Sequence, residues 1–113
     1  MSKRQPESEI VDQIVSWLRM KGCFVFIVRN GATYSPTRGR FLKPGKRYTP
    51  GIADIVGVTK RGQFISVEVK QPGNKPTGDQ LAFLVDVKRN KGIAIVAHSL
   101  EEARNLLIDE LHA

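Results

Sequence analysis

Two apolar runs, residues 53–58 and 63–70, flank the four residues Thr59-Lys60-Arg61-Gly62 and constrain this chain more than any other feature. A short polar link with glycine between two strand-like runs predicts a tight hairpin. Asp54 stands near the start of the first run, and Glu68 and Lys70 stand at the tail of the second. Hairpin pairing lays the start of one strand beside the end of the other, so the two carboxylates converge at one end of a sheet. Side chains two apart share a face, so Glu68 and Lys70 point one way and Val69 the other. A buried charge costs several kcal/mol, on the order of a whole side chain's burial, unless it is paired or bound to a metal. Three charges gathered among buried strands therefore point to joint use.

The rest of the chain supplies the elements to enclose such a hairpin. Residues 7–20 place Ile10, Val11, Ile14, Val15, Trp17 and Leu18 at helical spacing, with Pro6 suited to the first turn and Gly22 ending the pattern. Residues 23–29 are a continuous apolar run ending in arginine and predict a strand buried on both faces. Residues 30–50 hold Gly31, Pro36, Gly39, Pro44 and Gly45 among cations and hydroxyls. A loop of that length inside one domain usually has a function, and it has room for a short irregular hairpin around Arg40-Phe41-Leu42. Thr77 opens a second helix to about Lys91, with Leu81, Phe83, Leu84 and Val87 as its core side. Residues 93–97 form the last strand. Ser99 opens the last helix, and Ser99-x-x-Glu102 has capping-box spacing. The order helix, three strands, helix, strand, helix predicts a single α/β domain over 1–113, a three-layer sandwich around a four-stranded mixed sheet.

Charge distribution narrows the partners. The chain of 113 residues carries a formal net charge of +7. Between Asp12 and Asp54 there is no acidic residue, yet Arg19, Lys21, Arg29, Arg38, Arg40, Lys43, Lys46 and Arg47 fall there. The C-terminal end is acidic, with Glu101, Glu102, Asp109 and Glu110. A basic flank opposite an acidic one points to a face turned toward a polyanion; a basic surface that only confers solubility is the plainer reading. There is no apolar stretch of about 18 residues to span a membrane. The polar N-terminus does not resemble a signal peptide, and the lone Cys23 excludes an internal disulfide or zinc cluster. Cytoplasmic residence is the expectation. His98 and His112 do not stand at a metal-ligand or base–nucleophile spacing, which argues against a His-Asn-His nuclease.

Two carboxylates, a backbone carbonyl and water suit a hard divalent cation such as Mg²⁺ or Mn²⁺. Asp54, Glu68 and the Val69 carbonyl are the candidate ligands. Such an ion polarises a phosphate and helps generate hydroxide, and Lys70 stands where it can orient the attacking water and stabilise charge on the phosphoryl oxygens. The plainer alternatives are an exposed Glu68–Lys70 ion pair, worth about 0–1 kcal/mol, and a turn role for Asp54. The conjunction of all three charges with the flanking helices favours the metal site.

The ordered set Gly51-x-x-Asp54 … Glu68-x-Lys70 resembles the PD-(D/E)XK nuclease superfamily, whose restriction-endonuclease-like core has the order αβββαβ. Within it, the chain is similar to the stand-alone form of the virus-type replication–repair nuclease (VRR-NUC) domain over nearly its whole length. Further matches are Glu7-Ser-Glu-Ile in the first helix, Arg29-Asn30-Gly31 after the first strand, and Gln80. Ala53 stands where the superfamily's name has proline. The resemblance implies that Glu7 reaches toward the metal; favourable placement at the helix dipole, worth about 0.3–1 kcal/mol, is the other reading, and Glu9 is the competing carboxylate. It implies that Gln80 faces the active site, although Thr77-x-x-Gln80 also has capping-box spacing. Asn30-Gly31 is sufficient as a turn pair, while Arg29 and Asn30 are placed to contact phosphates.

The expectation is a Mg²⁺- or Mn²⁺-dependent, structure-selective endonuclease on DNA, with Arg29, Asn30, Arg38, Arg40, Lys43, Lys46 and Arg47 holding the backbone. No recognition-helix module or zinc finger is present to read sequence. The resemblance implies branched, four-way (Holliday) junctions cut by a homodimer, in a phage or prophage setting within a bacterial cell. The rivals are a non-catalytic nucleic-acid-binding module of a phage replication complex, and a nickase or flap endonuclease.

Overall fold

The computed structural model describes residues 4–28, 33–42 and 49–112. The first helix, α1, is Glu7–Met20, entered from an extended Pro6 and carrying Glu7 and Glu9 in its first turn. All six apolar residues of its stripe are buried. Strand β1, Phe24–Ile27, follows. A two-stranded hairpin, β2 (Thr33–Ser35) and β3 (Arg40–Leu42), pairs with Tyr34 opposite Phe41. Strand β4 is Ile55–Val58 and β5 is Phe64–Val69. Helix α2, Gly78–Arg89, leads to β6, Ile93–Ala97, and α3, Leu100–His112, completes the chain.

The main sheet has the order β1-β4-β5-β6. The turn predicted between β4 and β5 forms, with the Gly62 N–H donating to the Thr59 carbonyl at 2.9 Å. Both β1–β4 and β4–β5 are antiparallel, with Ile27 opposite Ile55 and Ile55 opposite Val67. Strand β6 lies parallel to β5, which requires the crossover that α2 provides. Strand parity sorts the side chains. Val25, Ile55, Ile65, Val67, Val69, Ile93 and Ala97 pack with α1 and with Ala103 and Leu107 of α3. Val56 and Ala94 pack with Leu84, and Phe83 and Val87 close over them. The result is the predicted three-layer sandwich: α1 and α3 on one face, α2 on the other.

Two expectations need correction. The run 23–29 is not a strand buried on both faces. Its strand, Phe24–Ile27, forms the edge of the sheet, where α1 covers Val25 while Phe24, Phe26 and Ile27 stay exposed. Helix α2 packs over β5 and β6 and does not extend to this edge. The expected core side of α2 is also narrower than its pattern. Leu84 is buried and Phe83 and Val87 are half-buried, but Leu81 is exposed.

Candidate active site

The register explains how the charges meet. Continuing the β4–β5 pairing one residue beyond Ile55–Val67 sets Asp54 directly opposite Glu68, a placement that holds Cβ atoms about 5 Å apart. Asp54 is fixed on both sides. Its carbonyl accepts the Val28 N–H at 2.8 Å, and its Oδ2 accepts the Val69 N–H at 2.9 Å. Lys70 N–H donates to the Ala97 carbonyl at 3.1 Å, which ties the end of β5 to β6. Alternation then places Glu68 and Lys70 on the α2 face and Val69 in the α1 core.

Glu68 is the unusual group. It is 1% exposed. Its Oε2 accepts a hydrogen bond from Gln80 Nε2 at 3.2 Å and lies 3.8 Å from Lys70 Nζ. Its Oε1 is buried with no hydrogen-bond partner. Burial, then the charge of Asp54, raise the Glu68 pKa to about 8; Lys70 opposes this and Glu7 adds to it. Burial and a like charge beside it both disfavour the ionised form of Glu68, and the Lys70 ammonium offsets them only in part.

Gln80 reconciles its two sequence readings. Its Oε1 accepts the Thr77 N–H at 2.8 Å, its own N–H donates to Thr77 Oγ1 at 3.3 Å, and its Nε2 turns to Glu68. One side chain both closes the capping box and orients a carboxylate. Glu7, half-buried, is near enough to act on Glu68 through its charge, whereas Glu9 is exposed and contributes nothing to that shift. Among the described residues, no three of His, Cys, Asp and Glu come together as a metal cluster. A cation here would rest on Asp54 and Glu68, with the Val69 carbonyl as the third protein oxygen. The residues fit such an ion in kind: hard oxygen donors, one of them a buried oxygen without a partner.

Of the expected phosphate contacts, Arg38 is exposed on the β2–β3 turn. Arg29, Asn30, Lys43, Lys46, Arg47 and the side chain of Arg40 lie outside the described residues.

Three positioning residues had little or no signal in the sequence. Gly51 has φ +70°, and a Cβ there would come within 2.3 Å of the Asp79 backbone and 2.6 Å of Gln80 N. Only glycine lets the segment before Asp54 lie against the first turn of α2. Arg4 donates to the Pro72 carbonyl, and Gln71 Nε2 donates to the Gln5 carbonyl at 3.0 Å. These bonds tie the chain before Glu7 to the loop after Lys70. Gly51 opens the motif, so its signal was present without its reason; Arg4 and Gln71 carry none. His98 lies at the strand end, as expected. Its Nδ1 is 2.9 Å from Glu102 and its Nε2 is 3.3 Å from the Asn74 carbonyl.

Compared with solved structures, the chain matches a protein described as a VRR_NUC domain protein, with a TM-score of 0.60 over 96% of this chain and 92% of that one at 15% identity. No family model matches the sequence, and no curated protein does. The likeness is therefore one of fold. The chain shares that protein's architecture, and its four-stranded mixed sheet between helices is consistent with a restriction-endonuclease-like core.

Proposed function

We propose that this protein is a divalent-cation-dependent nuclease that hydrolyses DNA phosphodiester bonds. The observation that carries the reading is the Glu68 carboxyl: buried, opposite Asp54, with one oxygen unpartnered. A purely structural ion pair would not leave that oxygen orphaned or set a second carboxylate against it. Asp54, Glu68 and the Val69 carbonyl would hold Mg²⁺ or Mn²⁺. When bound, the ion neutralises phosphate charge and lowers the pKa of a bound water. Lys70, 17% exposed at its side chain, has the reach and the opening to hold the attacking water and to stabilise charge on the phosphoryl oxygens. Gln80 keeps Glu68 in its rotamer, and Glu7 adds negative charge that strengthens cation binding.

The finer reading is a structure-selective endonuclease on branched DNA. Paired incisions across a four-way junction need two sites, so one domain of this size would act there as a homodimer. Among the described residues no helix is long and apolar enough to cross a membrane, which suits a nucleic-acid partner. The basic segment from Arg29 to Arg47 would hold the backbone.

The test is a panel of duplex, flap and four-way-junction DNA incubated with Mg²⁺ or with chelator. Lys70→Ala should slow cleavage by roughly 100- to 10,000-fold while DNA affinity changes little. Mg²⁺ or Mn²⁺ should also raise the melting temperature of the wild-type protein, and Asp54→Ala should remove that rise. Cleavage that survives Lys70→Ala, or no thermal response to either cation, would refute the assignment.

A further inference from the structure

The α2 face of the sheet carries a second feature that the carboxylates do not use. Phe24, Val58 and Phe64 lie in one row across three strands, by the pairing of Phe24 with Val58 and of Val58 with Phe64. Phe26 lies on the same face, one row closer to Asp54. Phe24 is 71% exposed, Phe26 48% and Phe64 41%. The rings of Phe24 and Phe26 stand 6.2 Å apart at 72°. Beside Phe64, a hollow of about 280 Å³ runs between the sheet and the end of α2, lined by Phe83, Val87, Asn90 and Asp86 among others. With Val58 between them, these phenylalanines form a contiguous exposed apolar patch on neighbouring strands, rimmed by polar groups as interaction sites are.

Charge states what could cover it. The β4–β5 turn at this end of the sheet carries Lys60 and Arg61, and the last turn of α2 and the link after it carry Lys88, Arg89 and Lys91, all exposed. Segments 21–28, 55–67 and 87–97 contain no aspartate or glutamate. Asp86, one turn inside α2, is an acid at this rim and lies 3.8 Å from Arg89, while Asp109 and Glu110 stand on α3 across the sheet. A second copy docked through this face would set those cations against their own images, and like charges across an interface are unfavourable. A polyanion would be attracted by the same rim.

We propose that this open face binds single-stranded nucleic acid, with unpaired bases stacking on Phe24, Phe26 and Phe64 and the phosphates running along Lys60, Arg61 and Lys91. Aromatic side chains on an exposed sheet accept the faces of splayed bases, and a flanking basic rim tracks the backbone. Paired bases are already stacked and cannot use such a platform, so the surface distinguishes single strands from duplex. The platform shares its face with Asp54 and Glu68. Four residues of β-strand, about 13 Å, separate the Phe24–Val58–Phe64 row from the carboxylates. A strand laid on the rings is thereby aimed at the candidate active site, although binding itself needs neither carboxylate nor cation.

The proposal is tested in chelator, where no cleavage occurs, by fluorescence anisotropy with a labelled oligodeoxythymidylate and with a duplex of equal length. The combined Phe24→Ala and Phe26→Ala variant should bind the single strand about 10- to 100-fold more weakly, with duplex affinity and melting temperature unchanged. Phe24→Trp should retain wild-type binding. Lys60→Gln with Arg61→Gln should flatten the salt dependence by about 0.7 per lost phosphate contact. Unchanged single-strand affinity in the double alanine variant overturns the proposal, as does equal weakening toward duplex. So does sedimentation in which that variant dissociates a wild-type dimer while oligonucleotide affinity stays the same, because the face then pairs two copies of the chain. None of these outcomes bears on whether Lys70 and the carboxylates cleave DNA.

Discussion

On the face that α1 and α3 cover, Val25, Ile55, Ile65, Val67 and Val69 are sealed against Ile10, Ile14 and Leu18. On the α2 face, the residues that alternate with them include Phe24, Phe26, Ser66, Glu68 and the exposed Phe64. The same strands thus present a dry hydrocarbon layer on one side. On the other side they present a row of charges at one end and open aromatic rings at the opposite end. Stability is concentrated on the first face, which frees the second to hold groups that destabilise the fold when left without a ligand.

The widest difference between the faces lies in pH dependence. Without a divalent cation, stability should fall as pH rises from about 4.5 to about 8, because the unfolded Glu68 has released its proton while the folded carboxyl keeps it. The folded state binds more protons across that window, so the slope is negative and approaches about 1.4 kcal/mol per pH unit. Urea unfolding at a series of pH values should show this decline, and Glu68→Gln should flatten it. A variant as steep as wild type would mean that the charge on this face is not strained.

Next in size is the dry face itself. Leu18, fully buried, should cost about 3 kcal/mol when replaced by alanine. A loss below about 1 kcal/mol would show that α1 is not the main prop of the sheet.

A smaller step of the same sign belongs to His98. The hydrogen bond to Glu102 raises its pKa, burial opposes that, and the Asn74 carbonyl and the Glu102 charge add to the rise. A histidine raised in the folded state contributes stability that is complete below about 6.5, its ordinary value, and is lost as pH rises through the folded value. Following the His98 ring by NMR should give a titration above that of a free histidine, and Glu102→Gln should lower it.

The smallest effect separates two leucines of α2. Leu81→Ala should change stability by no more than about 0.5 kcal/mol, whereas Leu84→Ala should cost several times that. Equal losses would mean that α2 covers more of its face than Leu84, Phe83 and Val87 define.

Much of this was legible in the residues. Helix α1 followed from its stripe, and the meeting of Asp54 with Glu68 and Lys70 followed from hairpin pairing and the two-residue period of a strand. The position of β1 in the sheet was not legible. Phe24–Ile27 is as apolar as an interior strand, and local sequence does not state which neighbour a strand lacks. The same limit hid the exposure of Leu81, since helical periodicity marks an apolar stripe without saying how wide a surface awaits it. The two roles of Gln80 looked like alternatives because spacing shows the cap alone; its Nε2 bond to Glu68 depends on how α2 lies against β5. The tethers from Arg4 and Gln71 join segments more than 60 residues apart, and neither end has a local pattern.

Asp54, Glu68, Lys70 and Gln80 all fall within one continuous stretch of the chain, built from a hairpin and the first turn of the helix after it. Their contacts with one another span no more than 15 residues of sequence, while Val28 and Ala97 brace the two ends from outside it. The rest of the domain buttresses this stretch from outside. Insertions at the exposed β2–β3 turn, residues 36–39, would therefore lengthen the arm without altering the spacing of the four groups. The stretch 54–80 behaves as a module that can keep its chemistry while its surroundings change length.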